Sequence, residues 1–248
     1  MIKREKSLKL NMVLNAIKGL MGLIVPLITF PYVSRILGVD NLGRYNFSNS
    51  IISYFILIAG LGISTYAVRE GARLRDNQKV FQDFANEMFT INAISTIVAY
   101  FGLGGLLVVS TKVQEYRVLL LILSLLIIFK TIGIDWIYSI FEDYAYITVR
   151  SIIFQFISLI LLFIMVKTEN DVNIYAMITV ISSGGSGILN YLHAKKYCRV
   201  KLTTKVNWKR HMRPILVLFA TSVTVTIYTS SDVTILGLLC GDTSVGLY

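Results

Sequence analysis

The sequence has few charged residues, few acidic residues in particular, and little cysteine or proline. Of its 248 residues, 15% are charged and 55% are hydrophobic. Soluble domains carry about 25% charged residues, so this composition excludes an ordinary soluble domain. Three prolines are too few for a linker-rich chain. The two cysteines, Cys198 and Cys240, have the spacing of neither a disulfide framework nor a zinc site.

Sequence motifs for common kinds of catalysis are also missing. The chain has no Gly-x4-Gly-Lys-Ser/Thr loop and no His-Glu-x-x-His pattern, and its Cys and His residues form no cluster. We therefore predict a protein that is not an enzyme, binds no metal and needs no cofactor. The formal charge of +10 could suggest nucleic acid. However, the basic residues lie in short segments between apolar runs, which is typical of membrane topology, and we expect no nucleic-acid partner.

Seven apolar runs are long enough to cross the hydrocarbon core of a bilayer, which takes about 20 helical residues. The sequence therefore predicts an all-α, polytopic membrane protein with six complete spans followed by a seventh. The predicted spans are residues 13–37, 47–66, 84–109, 118–138, 146–166, 172–192 and 214–239.

The distribution of Lys and Arg predicts the orientation. With a cytoplasmic N-terminus, 17 of them lie in the inner segments and five in the outer ones, as the positive-inside rule requires. We therefore predict a multi-pass protein of the cytoplasmic (inner) membrane. The most basic segment, 193–213, holds eight Lys and Arg and no acidic residue. It could attract anionic lipid headgroups, although topology alone explains it, and His193 and His211 within it are expected to be solvated.

An internal repeat links two distant parts of the chain. Gly38, Gly43 and Tyr45 form the pattern Gly-x4-Gly-x-Tyr, which residues 241–248 repeat after a second apolar run. Six predicted spans separate the copies, so both cross in the same direction, as in transporters built from two similar halves. We predict a six-helix lobe (1–192), a basic cytoplasmic connector (193–213) and the first helix of a second lobe (214–248), whose remainder would follow Tyr248.

Three stretches resemble a known family. Residues 30–45 (FPYVSRILGVDNLGRY), 135–150 (DWIYSIFEDYAYITVR) and 228–248 are similar to three motifs of the Wzx-type oligosaccharide flippases, in the same order. Ile140 stands where that family commonly has glycine. These flippases belong to the MATE-like exporter superfamily and act in polysaccharide biosynthesis.

This resemblance implies the fold, the activity and the partners. It implies a two-lobed helical transporter that moves O-antigen or capsular repeat units, linked to undecaprenyl diphosphate, from the inner to the outer leaflet. The implied partners are therefore a polyprenyl-diphosphate-linked oligosaccharide and the lipid bilayer. A polysaccharide polymerase and chain-length machinery are further candidates.

Five ionisable residues are candidates for a substrate-binding cavity, because charge at membrane depth is costly and usually faces a cavity or a partner. Lys18 and Arg35 lie at the two ends of the first span, where a cation could hold a lipid diphosphate or anchor the helix at the interface. Lys130 and Asp135 lie on one predicted helix, as a neutralising pair or as a cation or proton coupling site. Asp232 lies in a Ser/Thr-rich part of the seventh span and is predicted to face the cavity.

The remaining candidates are assigned to a gate or a structural motif. The two prolines of the first span are expected to kink or bend it, and the glycines of the repeat are expected at the turn and the entry to the next helix. Glu142 together with Arg150 is expected to form a gate or a turn at the inner face. The complete group is Pro26, Pro31, Gly38, Gly43, Trp136, Glu142, Arg150, Gly241 and Gly246.

Three other functions stay open at this stage. A cation-coupled multidrug exporter of the same superfamily would favour acidic residues in the first lobe, whereas several candidates here are cationic. A membrane-embedded glycan polymerase or glycosyltransferase usually needs a sizeable outer loop, and the outer loops here are short. A scaffold that anchors the assembly machinery without transporting anything is the third.

Overall fold

The computed structural model describes the backbone of residues 8–248 and the side chains from Val13 onward, apart from those of Asn15 and Lys18. All the regular elements within these residues are helical. The α-helices are α1 (Leu8–Gly60), α2 (Ile63–Leu74), α3 (Gln78–Val109), α4 (Thr111–Gln114), α5 (Arg117–Gly133), α6 (Asp135–Ile140), α7 (Tyr144–Met165), α8 (Val172–Gly184), α9 (Ser186–Ala194), α10 (Trp208–Leu239) and α11 (Asp242–Leu247). A single 3-10 turn, Glu169–Asp171, precedes α8.

The longest helix, α1, consists of two arms joined at Gly38. Its 53 residues would extend about 80 Å, far more than the roughly 30 Å thickness of the hydrocarbon core. Gly38 interrupts the helix with φ 72° and ψ 171°, a conformation that glycine adopts without strain. The break that joins the two arms therefore lies at this glycine. Pro26 and Pro31 keep helical dihedrals within the first arm.

Five helical stretches of the described chain are long and apolar enough to cross a membrane. The longest stretch contains both arms of α1, which we count as two crossings. The 17-residue α5 is not among the five stretches, but it is almost entirely apolar and counts as one more. We therefore count seven crossings. Large apolar side chains of α7, such as Ile153, Phe156 and Ile160, are exposed at the surface of the bundle, where lipid rather than water must surround them. The prediction of an all-α, multi-pass membrane protein is confirmed.

Two spans end earlier than their apolar sequences suggest. The second crossing ends at Gly60, and Leu61 and Gly62 take positive φ before the amphipathic helix α2 begins. The fourth ends at Gly133, and Ile134 has φ 39° before α6. The apolar sequence continues past both breaks because α2 and α6 pack against each other inside the protein, not against lipid.

Buried side chains form two clusters toward opposite ends of the helical bundle. The first includes Leu37, Phe47 and Leu123 and joins the arms of α1 to α5, α7 and α8. We call this the repeat side, because both glycine repeats lie there. The second cluster joins α2, α3 and α6 to residues 194–200, and we call its side the connector side. Trp136 and Tyr138 of α6 are buried in this second cluster, so α6 fixes the connector-side ends of the bundle.

Candidate functional site

The two copies of the glycine repeat have the same backbone conformation. Gly38 has φ 72° and ψ 171°, and its counterpart Gly241 has φ 85° and ψ −177°. Each glycine ends an apolar helix, and a new helical segment follows it at once. The second arm of α1 follows Gly38, and α11 follows Gly241. The repeat in the sequence is therefore also a repeat in the structure.

The two copies contact each other reciprocally. A Cβ atom on Gly43 would overlap the backbone carbonyl of Asp242, and a Cβ atom on Gly246 would overlap the backbone carbonyl of Val39. Gly43 corresponds to Gly246, and Val39 corresponds to Asp242. A contact in which residue i meets j while the counterpart of i meets the counterpart of j is the signature of two-fold symmetry. We call this contact the glycine crossing.

Polar contacts surround the glycine crossing. Thr243 Oγ1 donates a hydrogen bond of 2.6 Å to Asp40 Oδ1, and these two residues also occupy equivalent positions of the repeat. The hydroxyl of Tyr116 donates to Asp242 Oδ1 at 2.6 Å. Burial, together with the nearby Asp242 carboxylate, raises the pKa of the Tyr116 hydroxyl, which therefore remains a donor. The crossing thus joins α1 to α11 firmly on the repeat side.

A polar cavity of about 340 Å³ lies next to the glycine crossing, between the second arm of α1 and α10 and α11. Amide and hydroxyl side chains supply its polar lining, and none of the described residues that line it is charged. Such groups both donate and accept hydrogen bonds, as sugar hydroxyls require. The polar lining residues are Asn46, Asn49, Ser50, Ser53, Thr229, Ser230 and Tyr248.

A second polar group lies among α5, α6, α7 and α9. Asp135 Oδ1 accepts a hydrogen bond of 2.6 Å from Asn190 Nδ2 and lies 3.4 Å from the guanidinium of Arg150. The Arg150 side chain is only 10% exposed, whereas that of Asp135 is 47% exposed. Arg150 Nε and Asn190 Oδ1 are buried and have no hydrogen-bond partner among the described residues. A cavity of about 280 Å³, also lined by Lys130, adjoins the group, so a proton or small ion there could reach the Asp135 carboxylate.

Residues 8–248 match a family model described as polysaccharide biosynthesis protein. The chain belongs to this polysaccharide biosynthesis family. Over 244 residues it is 25% identical to the "Putative O-antigen transporter" of Escherichia coli (strain K12), an alignment that covers 97% of this chain and 58% of that protein. The chain thus spans a little over half the length of this relative. No solved structure matches it significantly.

Membership of the polysaccharide biosynthesis family confirms the resemblance seen in the sequence. Within the described residues, Lys130 and Asp135 do not form a neutralising pair, and Glu142 and Arg150 have different partners. Glu142 accepts a hydrogen bond of 2.9 Å from Arg75 instead of pairing with Arg150, whose partner is Asp135. Lys130 has no ion pair within the described residues. Its helix ends at Gly133, so it does not share a helix with Asp135. The helix is interrupted at Ile134 and again at Glu142, which both have positive φ. These interruptions change the directions of side chains that one continuous helix would have aligned.

The structure places the other predicted cavity residues separately. Lys18 belongs to α1, but its side chain lies outside the described residues. Arg35 is exposed in the first arm of α1 and has no ion pair in the described part of the chain. Asp232 is exposed on α10 and accepts a hydrogen bond of 3.0 Å from Tyr248, beside an open groove. Neither Arg35 nor Asp232 lines the polar cavity next to the glycine crossing.

His211 was expected to be solvated, and this prediction is wrong. It is 1% exposed, and its ring nitrogens lie 2.9 Å from the hydroxyl of Tyr66 and 3.0 Å from Glu87 Oε2. Glu87 also accepts a hydrogen bond of 2.8 Å from the backbone N–H of Asn207, which caps α10. These contacts join the start of α10 to α2 and α3. The sequence did hold a signal, because Glu87 lies inside the predicted third span and an acidic residue there needs a partner.

Replacing His211 with alanine should therefore destabilise the protein. The change leaves the buried Tyr66 hydroxyl without its partner and removes one of the two hydrogen bonds of Glu87, which keeps the one from Asn207. We expect a loss of about 1–3 kcal/mol. Thermal unfolding of the purified protein in detergent measures the effect. Lys209→Ala is the matched control, because Lys209 is exposed on the same helical turn and should change stability by less than about 0.5 kcal/mol. Equal effects of the two substitutions would contradict a structural role for His211.

Proposed function

We propose that the protein forms part of a transporter that moves polyprenyl-diphosphate-linked oligosaccharide repeat units across the cytoplasmic membrane. The observation that supports this most is the reciprocal packing of two equivalent repeats beside a polar, uncharged cavity. Parallel halves related by an axis along the membrane normal, with a binding site between them, are a recurring design of secondary transporters. Membership of the polysaccharide biosynthesis family and the name of the Escherichia coli relative agree with a polysaccharide cargo.

We assign different parts of the substrate to different surfaces of the chain. The glycan would occupy the polar cavity next to the glycine crossing. The diphosphate would bind a cation of the first arm of α1, either Lys18 at one end of the span or Arg35 at the other, where a guanidinium can bind phosphate oxygens in a bidentate manner. The polyprenyl tail would stay in the bilayer along the exposed apolar residues Leu23, Leu27 and Phe30 of the same arm.

Transport in this proposal requires two contacts to open alternately: the contact of α11 with α1, and the contact of the start of α10 with α2 and α3. We retain the predicted division into a lobe of residues 1–192, a cytoplasmic connector of 193–213 and the beginning of a second lobe at 214–248. This second part contacts the first through the glycine crossing on the repeat side. On the connector side, the start of α10, which lies in the connector, contacts the first part through His211. A rocking transporter would break one contact while keeping the other. With the N-terminus in the cytoplasm, the glycine crossing is the outer gate.

The cavity next to Asp135 supports a role in energy coupling. A carboxylate that is half exposed to a cavity and held by a buried guanidinium and an amide can change its protonation or its bound cation as the cavity opens and closes. Polar groups of this kind at membrane depth commonly mark ion or proton pathways. The multidrug-exporter alternative would also use such a site, so the cargo has to be tested directly.

The test of cargo is the leaflet that lipid-linked oligosaccharide occupies in cells lacking the gene. We expect complete repeat units to accumulate on the inner leaflet and surface polysaccharide to disappear. Complete units on the outer leaflet without polymer would indicate a polymerase instead, and incomplete units would indicate a glycosyltransferase. No change would contradict a polysaccharide cargo and favour the multidrug exporter. Re-expression of residues 1–248 shows whether this chain is sufficient to restore surface polysaccharide.

A reversible cross-link should show whether the glycine crossing opens. Asp40→Cys and Thr243→Cys place two thiols where side-chain oxygens now lie 2.6 Å apart, in a background in which the exposed Cys240 is serine. Burial raises the pKa of the Cys198 thiol to about 12, so this residue should stay unreactive. Oxidation, or a short bifunctional thiol reagent, should stop transport, and reduction of the disulfide should restore it. The two single-cysteine variants are the controls, and unchanged transport by the cross-linked protein would show that the crossing does not open.

A further inference from the structure

The basic segment after α9 is held in an extended conformation along α3. Three backbone N–H groups at alternate positions donate to side chains spaced one turn apart on α3. The periods match, because two extended residues advance about 6.6 Å and four helical residues about 6 Å. These bonds are Arg199 to Gln82 Oε1 at 2.9 Å, Lys201 to Asn86 Oδ1 at 2.9 Å and Thr203 to Thr90 Oγ1 at 3.0 Å.

This backbone arrangement forms a small basic pocket, which we call the connector pocket. It has a volume of about 320 Å³ and is lined by Lys195, Arg199 and Lys201 together with Tyr191, Ala194 and Val200. The Tyr191 hydroxyl donates to the carbonyl of Val200 at 3.0 Å, which ties the end of α9 to the extended segment. The pocket lining has three cations and no carboxylate, and none of the three forms an ion pair with the described residues.

The position of the connector pocket matches the headgroup layer of a membrane. Its first cation, Lys195, directly follows α9, which belongs to a membrane-spanning stretch. The same basic segment also contains two large apolar residues with exposed side chains, Leu202 (67% exposed) and Trp208 (43% exposed). Tryptophan is enriched at membrane interfaces because its ring has an apolar body and a polar edge. The pocket is thus a cluster of three cations with apolar walls, next to residues suited to the edge of a bilayer.

We propose that the connector pocket binds the phosphate headgroup of an anionic phospholipid from the adjoining leaflet. Basic pockets between helix ends on the cytoplasmic side suit such headgroups, because several cations near the surface attract the anionic lipid together. The bound lipid would hold the connector against α3 and so fix the start of α10, whose capping residue Asn207 is bonded to Glu87 of α3. The pocket shares no residue with the polar cavity assigned to the glycan. This proposal does not depend on the cargo of the transporter.

The test compares lipid binding by two variants of equal charge. Lys195→Gln, Arg199→Gln and Lys201→Gln together remove the cations of the pocket. Lys196→Gln, Lys205→Gln and Lys209→Gln remove three exposed cations of the same segment that do not line it. Native mass spectrometry and thermal unfolding of the purified chain then measure binding of phosphatidylglycerol, phosphatidylcholine, inorganic phosphate and undecaprenyl diphosphate.

We expect phosphatidylglycerol to bind and stabilise the wild type and the control variant. The pocket variant should bind it on the order of 100-fold more weakly, because each basic residue near the surface contributes about a fivefold factor. If this triple variant unfolds without added lipid, Arg199→Gln alone should weaken binding about fivefold. Equal losses in both triple variants would overturn the pocket in favour of diffuse attraction. Equal binding of phosphatidylcholine, or stabilisation by inorganic phosphate alone, would overturn the lipid assignment, and selective binding of undecaprenyl diphosphate would reassign the pocket to cargo.

Discussion

A valine in place of Gly43 should abolish transport, because its side chain cannot fit into the glycine crossing. The atoms that it would overlap belong to the backbone of Asp242 and Gly246, so no side chain can rotate away to make room. The second arm of α1 and α11 would have to separate, which breaks the hydrogen bond between Asp40 and Thr243. Overpacking of a well-packed contact lowers the free energy of unfolding by about 1–3 kcal/mol. Transport should be lost in addition, because the gate can no longer close.

The measurement is restoration of surface polysaccharide in cells that lack the gene, together with thermal unfolding of the purified protein. Gly246→Val should have the same effect, because the crossing is reciprocal. Gly105→Val is the matched control. Gly105 lies in an apolar helix of the same protein, and a Cβ atom added there would meet nothing within 4 Å. If Gly43→Val restores surface polysaccharide as well as Gly105→Val does, the glycine crossing is not a gate.

The repeat could be found in the sequence, but the contact between its copies could not. Three matching residues indicate that two segments share a local conformation, and the positive φ angles of Gly38 and Gly241 follow from that. Gly43 and Gly246 have a different reason to be glycine, since they allow two backbones to approach closely. A close approach depends on how distant helices pack, and no property of either eight-residue segment expresses it.

Apolar length predicted which segments cross the membrane but not where two of them end. The period and length of an apolar run report that a segment avoids water. They do not distinguish lipid from the protein interior. The apolar residues of α6, such as Ile137 and Tyr138, are fully buried among neighbouring helices, and they extended the predicted fourth span beyond its true end at Gly133. Breaks at non-glycine residues such as Ile134 leave no signal in the sequence.

The charged candidates were recognised individually, and their partners were not. A pair with Lys130 on the same helix was one of the alternatives for Asp135, but its partners Arg150 and Asn190 come from α7 and α9. Spacing along a sequence predicts contacts between side chains only within an unbroken helix. Partners on other helices are set by packing. The same reason explains why Tyr116 and Glu87 were not predicted to take part in the contacts of α10 and α11.

Replacing Asp135 with asparagine should cause the largest loss of stability of any single polar substitution in this cluster. Asparagine keeps the shape of the side chain and can still accept the hydrogen bond from Asn190. It removes the negative charge beside Arg150, whose side chain is only 10% exposed. A buried charge that loses its partner destabilises a protein by about 3–5 kcal/mol. We expect about 2–3 kcal/mol here, because the carboxylate itself is half exposed and the contact is 3.4 Å long.

A double-mutant cycle separates the ion pair from other effects of the change. Arg150→Gln should be milder than Asp135→Asn, because the half-exposed carboxylate retains water and Asn190. The variant with both changes should lose less stability than the sum of the two single losses, and the difference, the coupling energy, should be about 1–2 kcal/mol. Asp83→Asn, an exposed aspartate on α3, is the control for losing one negative charge. If the two single effects simply add, Asp135 and Arg150 are not energetically coupled. The pH dependence of the transport rate tests the coupling role separately. If that dependence is unchanged in Asp135→Asn, this carboxylate is not a proton-coupling group, whatever the ion pair contributes to stability.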